Sequence, residues 1–466
     1  MPNLLDFEQS LLTAVRAAVA FRGEGPKIPA MPTSSADELR ARFNRPLDED
    51  GRSGPEVISD LINAAAGGLG SNTQSNFFAW VQGSSHPTGV AADLLTSAWG
   101  QNAGLYAMSP AAAIAEEVAG QWLLDLLNLP ASASVAFTTG ATMANFISLA
   151  VARSEVLRRI GYDLEQDGMP GAPPVTVMVG AETHSSVLSD LRHLGFGERN
   201  LVVIASDSQG RMSSSNLKAR LNQISGPSIL VAQAGHINTG SFDPFNEIIP
   251  LAHKQGAWVH VDGAFGLWAN AVPRLKHLTQ GVELADSWSV DGHKWLQVPY
   301  DAGFAIVRDA KAHTRVMRIT ASYLKTEANA GRNPSDYVPE LSRRARGFAV
   351  WATLQALGRR GARNLVLGHC RCAIHLADRL RAVPGIHVMN EVVLNQVAIS
   401  FGQRGPSDES TEAVIAKLRH QDQHFVLGAR WRNHAILRIS ITSMLTQLSD
   451  IDTLADAIIG AWRDAA

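Results

Sequence analysis

The hydrophobic period changes repeatedly along this chain, and the changes predict its elements. Residues 5–20 carry apolar positions at helical spacing, and residues 21–35 interrupt them with Gly and Pro. A second helical stretch continues through Pro55-Glu-Val-Ile-Ser-Asp-Leu-Ile-Asn63. Ser109-Pro110 opens a further helix to about Leu127, with proline where its missing N–H costs nothing. Val135-Ala-Phe-Thr-Thr-Gly-Ala-Thr-Met-Ala-Asn145 then reads as strand, turn and helix. Short apolar runs follow at 175–179, 201–205, 229–232, 257–261, 286–290 and 302–307. Runs of this length, between turn residues, suit buried strands. A long helix is expected to start near Glu340. Residues 393–401 and 435–442 read as strands, and 413–420 and 449–462 as helices. Alternation of this kind predicts an α/β protein, a mostly parallel sheet with helices on both faces, followed by a smaller α+β lobe.

Composition narrows the class. The chain has 466 residues, enough for two or three domains or lobes. Hydrophobic residues make up 45% and charged residues 18%, ordinary values for a globular enzyme. A formal charge of −2 gives no reason to expect a nucleic-acid or membrane partner. Cys370 and Cys372 are too close in sequence for an ordinary disulfide, and no zinc-ligand set accompanies them, so no metal is expected. The start shows no basic segment ahead of an apolar stretch, and no apolar run reaches membrane-spanning length. The expectation is a cytoplasmic protein.

The chemistry gathers at strand ends. In Asp286-Ser-Trp-Ser-Val-Asp-Gly-His-Lys-Trp295, Lys294 falls just past a strand that Asp291-Gly292 breaks. A half-buried lysine there is a usable nucleophile toward a carbonyl. A loop lysine on the surface is the competing reading. In Ala257-Trp-Val-His-Val-Asp-Gly-Ala-Phe-Gly266, Asp262 ends another apolar run. It is read either as a helix cap or as a ligand-facing carboxylate, since ligands of open α/β sheets bind beyond the carboxyl ends of strands. Thr139, Gly140, Ala141 and Thr142 are small residues ahead of a helix, where free N–H groups and the dipole favour a phosphate. The stretch is neither a Walker loop nor Gly-x-Gly-x-x-Gly.

Taken together and in this order, these segments resemble the group II pyridoxal-phosphate-dependent amino-acid decarboxylases, which include the aromatic L-amino-acid and glutamate decarboxylases. The resemblance runs from about Phe77 to the C-terminal region. It implies an aspartate-aminotransferase-like type I fold: an N-terminal helical arm over 1–86, a large domain over 87–350 with a mostly parallel seven-stranded sheet, and a small C-terminal α+β domain over 351–466. The cofactor implied is pyridoxal 5'-phosphate, the substrate an amino acid released as amine and carbon dioxide, and the assembly a homodimer with active sites at the subunit interface. Lys294 is then the lysine that holds the cofactor, Asp262 the carboxylate at the ring nitrogen, and His184 and Ala264 the residues on the two ring faces. Gly140, Ala141, Thr142 and His293 are the phosphate contacts, and Thr239 a further cofactor contact. Tyr323, in Tyr-Leu-Lys325, matches a loop tyrosine that reprotonates the carbanion; an anchoring role for it is the alternative.

The chain also departs from the family. Gln74 and Ser75 stand where the family has His-Pro, and Trp80-Val-Gln-Gly83 replaces Tyr-Phe-Pro-Thr. Trp80 and Gln82 are thus read either as substrate contacts or as core. His236 and Ile237 replace Thr-Thr, which leaves the substrate undefined and keeps another type I enzyme, a carbon–carbon lyase or an aminotransferase, as the alternative. Arg343, Arg344 and Arg346 are read as anion ligands or as a solvated helix face.

Overall fold

Seven short strands between Ser134 and Val307 pair into one sheet. They are β1 Ser134–Thr138, β2 Thr176–Gly180, β3 Val202–Ile204, β4 Ser228–Gln233, β5 Trp258–Asp262, β6 Ser287–Asp291 and β7 Gly303–Val307. Their order is β1-β7-β6-β5-β4-β2-β3. β2 to β6 are mutually parallel, and β7 runs antiparallel to both β1 and β6. The sheet is therefore mixed and mostly parallel, as expected from near-continuous apolar runs. The computed structural model describes residues 4–23, 29–319 and 331–465.

Alternation along each strand sorts side chains between two layers. Val259 and Val261 of β5 join Leu230, Trp288 and Val290 in one apolar cluster. Trp258 faces the other side, with Ala144 and Ile147 of helix Ala141–Arg158 and Val187 and Leu191 of helix Ser185–His193. By the period of two, His260 and Asp262 share the Trp258 face. On β6, Ser287 follows the same parity and accepts the Trp258 indole N–H at 2.9 Å.

The chain divides into two compact units: residues 81–374 with 389–398, and residues 1–80 with 375–388 and 399–466. The sheet just described belongs to the first. The second contains helices Leu4–Gly23, Ala36–Phe43 and Gly54–Ala65, helices Asp408–Gln421 and Leu448–Arg463, and strands β8 Ile386–Val388, β10 Leu427–Trp431 and β11 His434–Ser440. With β9 Gln396–Phe401 these strands form a four-stranded sheet ordered β10-β11-β9-β8. The expected strands at 393–401 and 435–442 and helices at 413–420 and 449–462 are all present. Residues 340–345, expected to open the long helix, lie ahead of it; the helix is Arg346–Arg381, broken at Gly358.

The first helix, Leu4–Gly23, buries none of its residues and leaves Leu4, Leu12 and Val19 exposed. Helix Gly54–Ala65 packs against it yet exposes Val57, Leu61 and Ile62. Between them and residues 29–33 runs an apolar groove of about 700 Å³, lined by Ala14, Phe21, Met31, Ile58, Leu61 and Leu69.

Candidate active site

A cavity of about 300 Å³ opens at the C-terminal ends of the parallel strands. Thr139, Gly140, Ala141, Thr142, His184, Asp262, Ala264, His293 and Lys294 all line it. Residues from four separate stretches of sequence thus converge on one space, because β1, β2, β5 and β6 all point that way.

The wall at β1 is tightly built. Gly140 is the N-cap of helix Ala141–Arg158 and has no side chain to cap it. A Cβ there would meet the His293 ring at 3.0 Å and Asp291 Oδ1 at 3.3 Å. From the other side, a Cβ on Gly303 would fall 2.4 Å from the Gly140 backbone. The turn is pressed between β7 and residues 291–293, so its amides can approach a ligand closely.

Lys294 follows β6 and is partly exposed, with its Nζ 2.8 Å from Asp291 Oδ2. Asp291, almost wholly buried, also accepts the Ala141 amide at 2.6 Å through Oδ1. One carboxylate therefore joins the lysine to the first turn of the helix. His293 accepts the Ala302 amide on Nδ1 at 3.2 Å, which leaves the hydrogen on Nε2. Burial lowers its pKa, so the ring is a neutral donor. It stacks on Tyr300 with centroids 4.3 Å apart.

Asp262 ends β5 with 5% exposure. Its Oδ1 accepts the Ala264 amide at 3.1 Å and the Ser289 hydroxyl at 3.4 Å. Behind it, His260 Nε2 bonds Asn145 Oδ1 and Nδ1 bonds the Ser287 hydroxyl, each at 2.9 Å. Burial depresses His260 to about 3, so this support is uncharged. His184 caps helix Ser185–His193, its Nδ1 2.7 Å from Ser186 Oγ and its backbone N–H donating to Gln233 Oε1.

Not every expected residue comes to the cavity. The Thr239 hydroxyl donates to Gln209 O at 2.8 Å, and the residue is fully buried outside the lining. Ile237 lines the cavity instead. Trp80 packs with Phe77 and Phe425, and neither it nor Gln82 lines the cavity. The neighbouring Gly83 donates to His293 O at 3.1 Å, and a Cβ on it would strike the Lys294 carbonyl at 2.4 Å. Tyr323 lies outside the described residues. Arg343 is committed to Glu116 at 2.5 Å, Arg344 to Asp93 and Arg346 to Asp301, so each anion-ligand candidate already holds a carboxylate of this chain.

Asp291, Ser186, Gln233, Gly235, Ile237 and Phe265 line the cavity without having been read from sequence as site residues. For Asp291 a signal existed. It shares the β6 parity of Ser287 and Ser289 and sits three residues before Lys294, but it read as a strand breaker.

The fold and this site define a class: an α/β enzyme whose lysine, strand-end carboxylate and helix N-terminus suit a cofactor with an aldehyde, a basic ring nitrogen and a phosphate. The donor set fits pyridoxal phosphate, group for group. The chain belongs to the pyridoxal-dependent decarboxylase family, whose conserved domain matches residues 37–402. It is similar to an aromatic-L-amino-acid decarboxylase of Bacillus atrophaeus, 29% identical over 77% of this chain and 73% of that one. It is 34% identical to an L-2,4-diaminobutyrate decarboxylase of Rhizobium meliloti (strain 1021), over 71% of this chain and 65% of the relative. Its fold matches the crystal structure of Oryza sativa TDC with PLP and tryptamine at a TM-score of 0.92, 22% identity, covering 99% and 98% of the two chains. The protein is a pyridoxal-phosphate-dependent carboxy-lyase acting on an amino acid. The alternative, a carbon–carbon lyase or an aminotransferase, is not favoured, since these curated relatives are decarboxylases.

Proposed function

We propose that the enzyme decarboxylates an L-amino acid to its amine with Lys294 as the cofactor-holding residue, in a homodimer of the cytoplasm. The observation that carries the reading is the convergence of Lys294, Asp262 and the Gly140–Ala141 turn on one cavity. Pyridoxal phosphate, when bound, supplies a sink for the electron pair that carbon dioxide leaves behind. The chain's own residues do the rest. Asp262 holds a proton at the ring nitrogen, an interaction worth more in a poorly hydrated site than in water. Thr142 would offer donors to the phosphate, and the His293 Nε2–H would add one. His184 would cover one ring face and Ala264, small enough to permit close approach, the other. Lys294 Nζ, relayed to Asp291, moves protons at the substrate nitrogen. Tyr323 would supply the proton that replaces carbon dioxide. Trp80, packed with Phe77 and Phe425, takes the core reading, and Gly83 fixes the following segment on residues 293–294.

The two curated relatives act on chemically unlike substrates, so family membership leaves the side-chain class open. The homodimer reading is supported by the apolar groove and by the unburied apolar side chains of helices Leu4–Gly23 and Gly54–Ala65. The decisive experiment is an absorbance titration with pyridoxal phosphate, followed by a screen of amino acids for carbon dioxide release. A visible band that is lost in Lys294→Ala, together with release from one substrate class, supports the reading. A band without release from any amino acid removes the L-amino-acid assignment.

A further inference from the structure

The sheet face that carries Asp262 holds a second carboxyl for which the reaction as described has no use. Helix Ser185–His193 buries Val187, Asp190 and Leu191. Val187 and Leu191 pack in the layer of Trp258, Ala144 and Ile147. Asp190 lies on that same helix face, and Asp262 shares the strand parity of Trp258, so both carboxyls enter one layer. Asp190 is 2% exposed, and its Oδ2 has no hydrogen-bond partner. Asn145 Nδ2 and Ser148 Oγ, on the adjoining helix Ala141–Arg158, are buried and unpartnered too.

The charges around Asp190 are few. On the adjoining helix, Arg153 turns its guanidinium to the Leu194 carbonyl at the far end of helix Ser185–His193. Arg192 and His193 are exposed, and Arg192 faces Glu198. On β5, His260 is neutral, fixed between Ser287 and Asn145. Among the described residues, the charge that acts on Asp190 is Asp262. A carboxylate with neither a cation nor a full set of donors is disfavoured in a dry interior, and two carboxylates in one layer resist joint ionisation. Burial first, and the Asp262 carboxylate second, push the Asp190 carboxyl up to about 7.

We propose that Asp190 is a positioning residue for Asp262: it keeps one proton while Asp262 stands alone and releases it to solvent when a pyridinium pairs with Asp262. The inference rests on the reading of Asp262 as the ring-nitrogen carboxylate. A cation at Asp262 cancels the smaller of the two causes that hold Asp190 neutral, burial being the larger. The negative charge left on Asp190 then strengthens the hold of the pair on the ring proton. No bond between heavy atoms changes; up to one proton leaves Asp190 for each cofactor bound, the fraction set by how far its pKa falls.

The test uses the full chain, titrated with pyridoxal phosphate by absorbance between about pH 5.5 and 8.5, as wild type, Asp190→Asn, Asp190→Ala and Asp262→Asn. Wild-type affinity falls, relative to Asp190→Asn, by up to about tenfold per pH unit below neutrality, because the amide has no proton to release. Asp190→Ala follows Asp190→Asn. With cofactor labelled with nitrogen-15 at the ring, the wild type holds the ring proton to higher pH than either variant. Titration curves of wild type and Asp190→Asn that differ by the same factor at every pH, or not at all, overturn the proposal and leave the cofactor site intact. A ring-nitrogen signal unchanged in Asp262→Asn overturns the reading of Asp262, and the inference with it.

Discussion

At the scale of single residues, several buried groups make this protein sensitive to pH. His260 and His313 are enclosed, and burial lowers each to about 3, against an ordinary 6.5. The stability they contribute is present above about pH 6.5 and is lost as pH falls toward 3. Each can remove up to about 1.4 kcal/mol per pH unit in that window. Thermal melts of the protein should therefore fall steeply below about pH 6, and less steeply in His313→Gln. Asp190 has the opposite sign. Its folded value is raised, so its contribution is greatest below the ordinary 3.8 and is lost as pH rises through about 7. Asp190→Asn should be more stable than wild type at about pH 8, with the gap closing near pH 4; denaturant unfolding at the two pH values checks this. Lys294 and Asp262 were legible in the sequence because each closes an apolar run, and strand ends mark ligand sites. Asp291 was not, because its partners, the Ala141 amide and Lys294 Nζ, depend on where helix Ala141–Arg158 starts relative to β6. The engagement of Thr239 with Gln209 was hidden for the same reason: it is a contact across 30 residues.

At the scale of elements, the cavity wall is held by two devices. The first is the buried Arg343–Glu116 pair, in which Arg343 also donates to Ala103 O at 3.1 Å and to Phe137 O of β1 at 2.6 Å. Removing one partner leaves a buried charge, and Glu116→Ala should cost on the order of 3–5 kcal/mol in denaturant unfolding, while replacing both by apolar residues should cost far less. The second is the close approach of Gly303 to Gly140. Gly303→Ala forces β7 and the turn apart and should weaken pyridoxal phosphate binding, measured by absorbance titration, more than it lowers the melting temperature. Both strands were visible in the sequence from their apolar runs. The antiparallel course of β7 was not, since periodicity carries no direction. The long helix starts at Arg346, later than its pattern suggested, because the Arg343 backbone is already engaged, its N–H donating to Asn102 Oδ1 and its carbonyl accepting the Ala103 amide.

At the scale of the whole molecule, the α/β class, the sheet and the family could be read from the sequence, while the substrate could not. The apolar helices near the N-terminus call for a partner surface, and a second copy of the chain is the proposed one. Leu61→Glu should shift the protein toward monomer in sedimentation and lower activity with it. The strand order has a further consequence, for how the chain is made. β1 lies at the sheet edge and, among the described residues, pairs only with β7, so Ser134 finds Val307 across 173 residues. At ribosomal speeds of about 5–20 residues per second, β1 waits roughly 10–35 s after its synthesis for its partner strand. During that interval the glycine turn that ends in Ala141 has neither Gly303 nor Asp291 against it. A nascent chain released before β7 has emerged should fail to retain the cofactor on a desalting column, however well β2 to β6 have already paired.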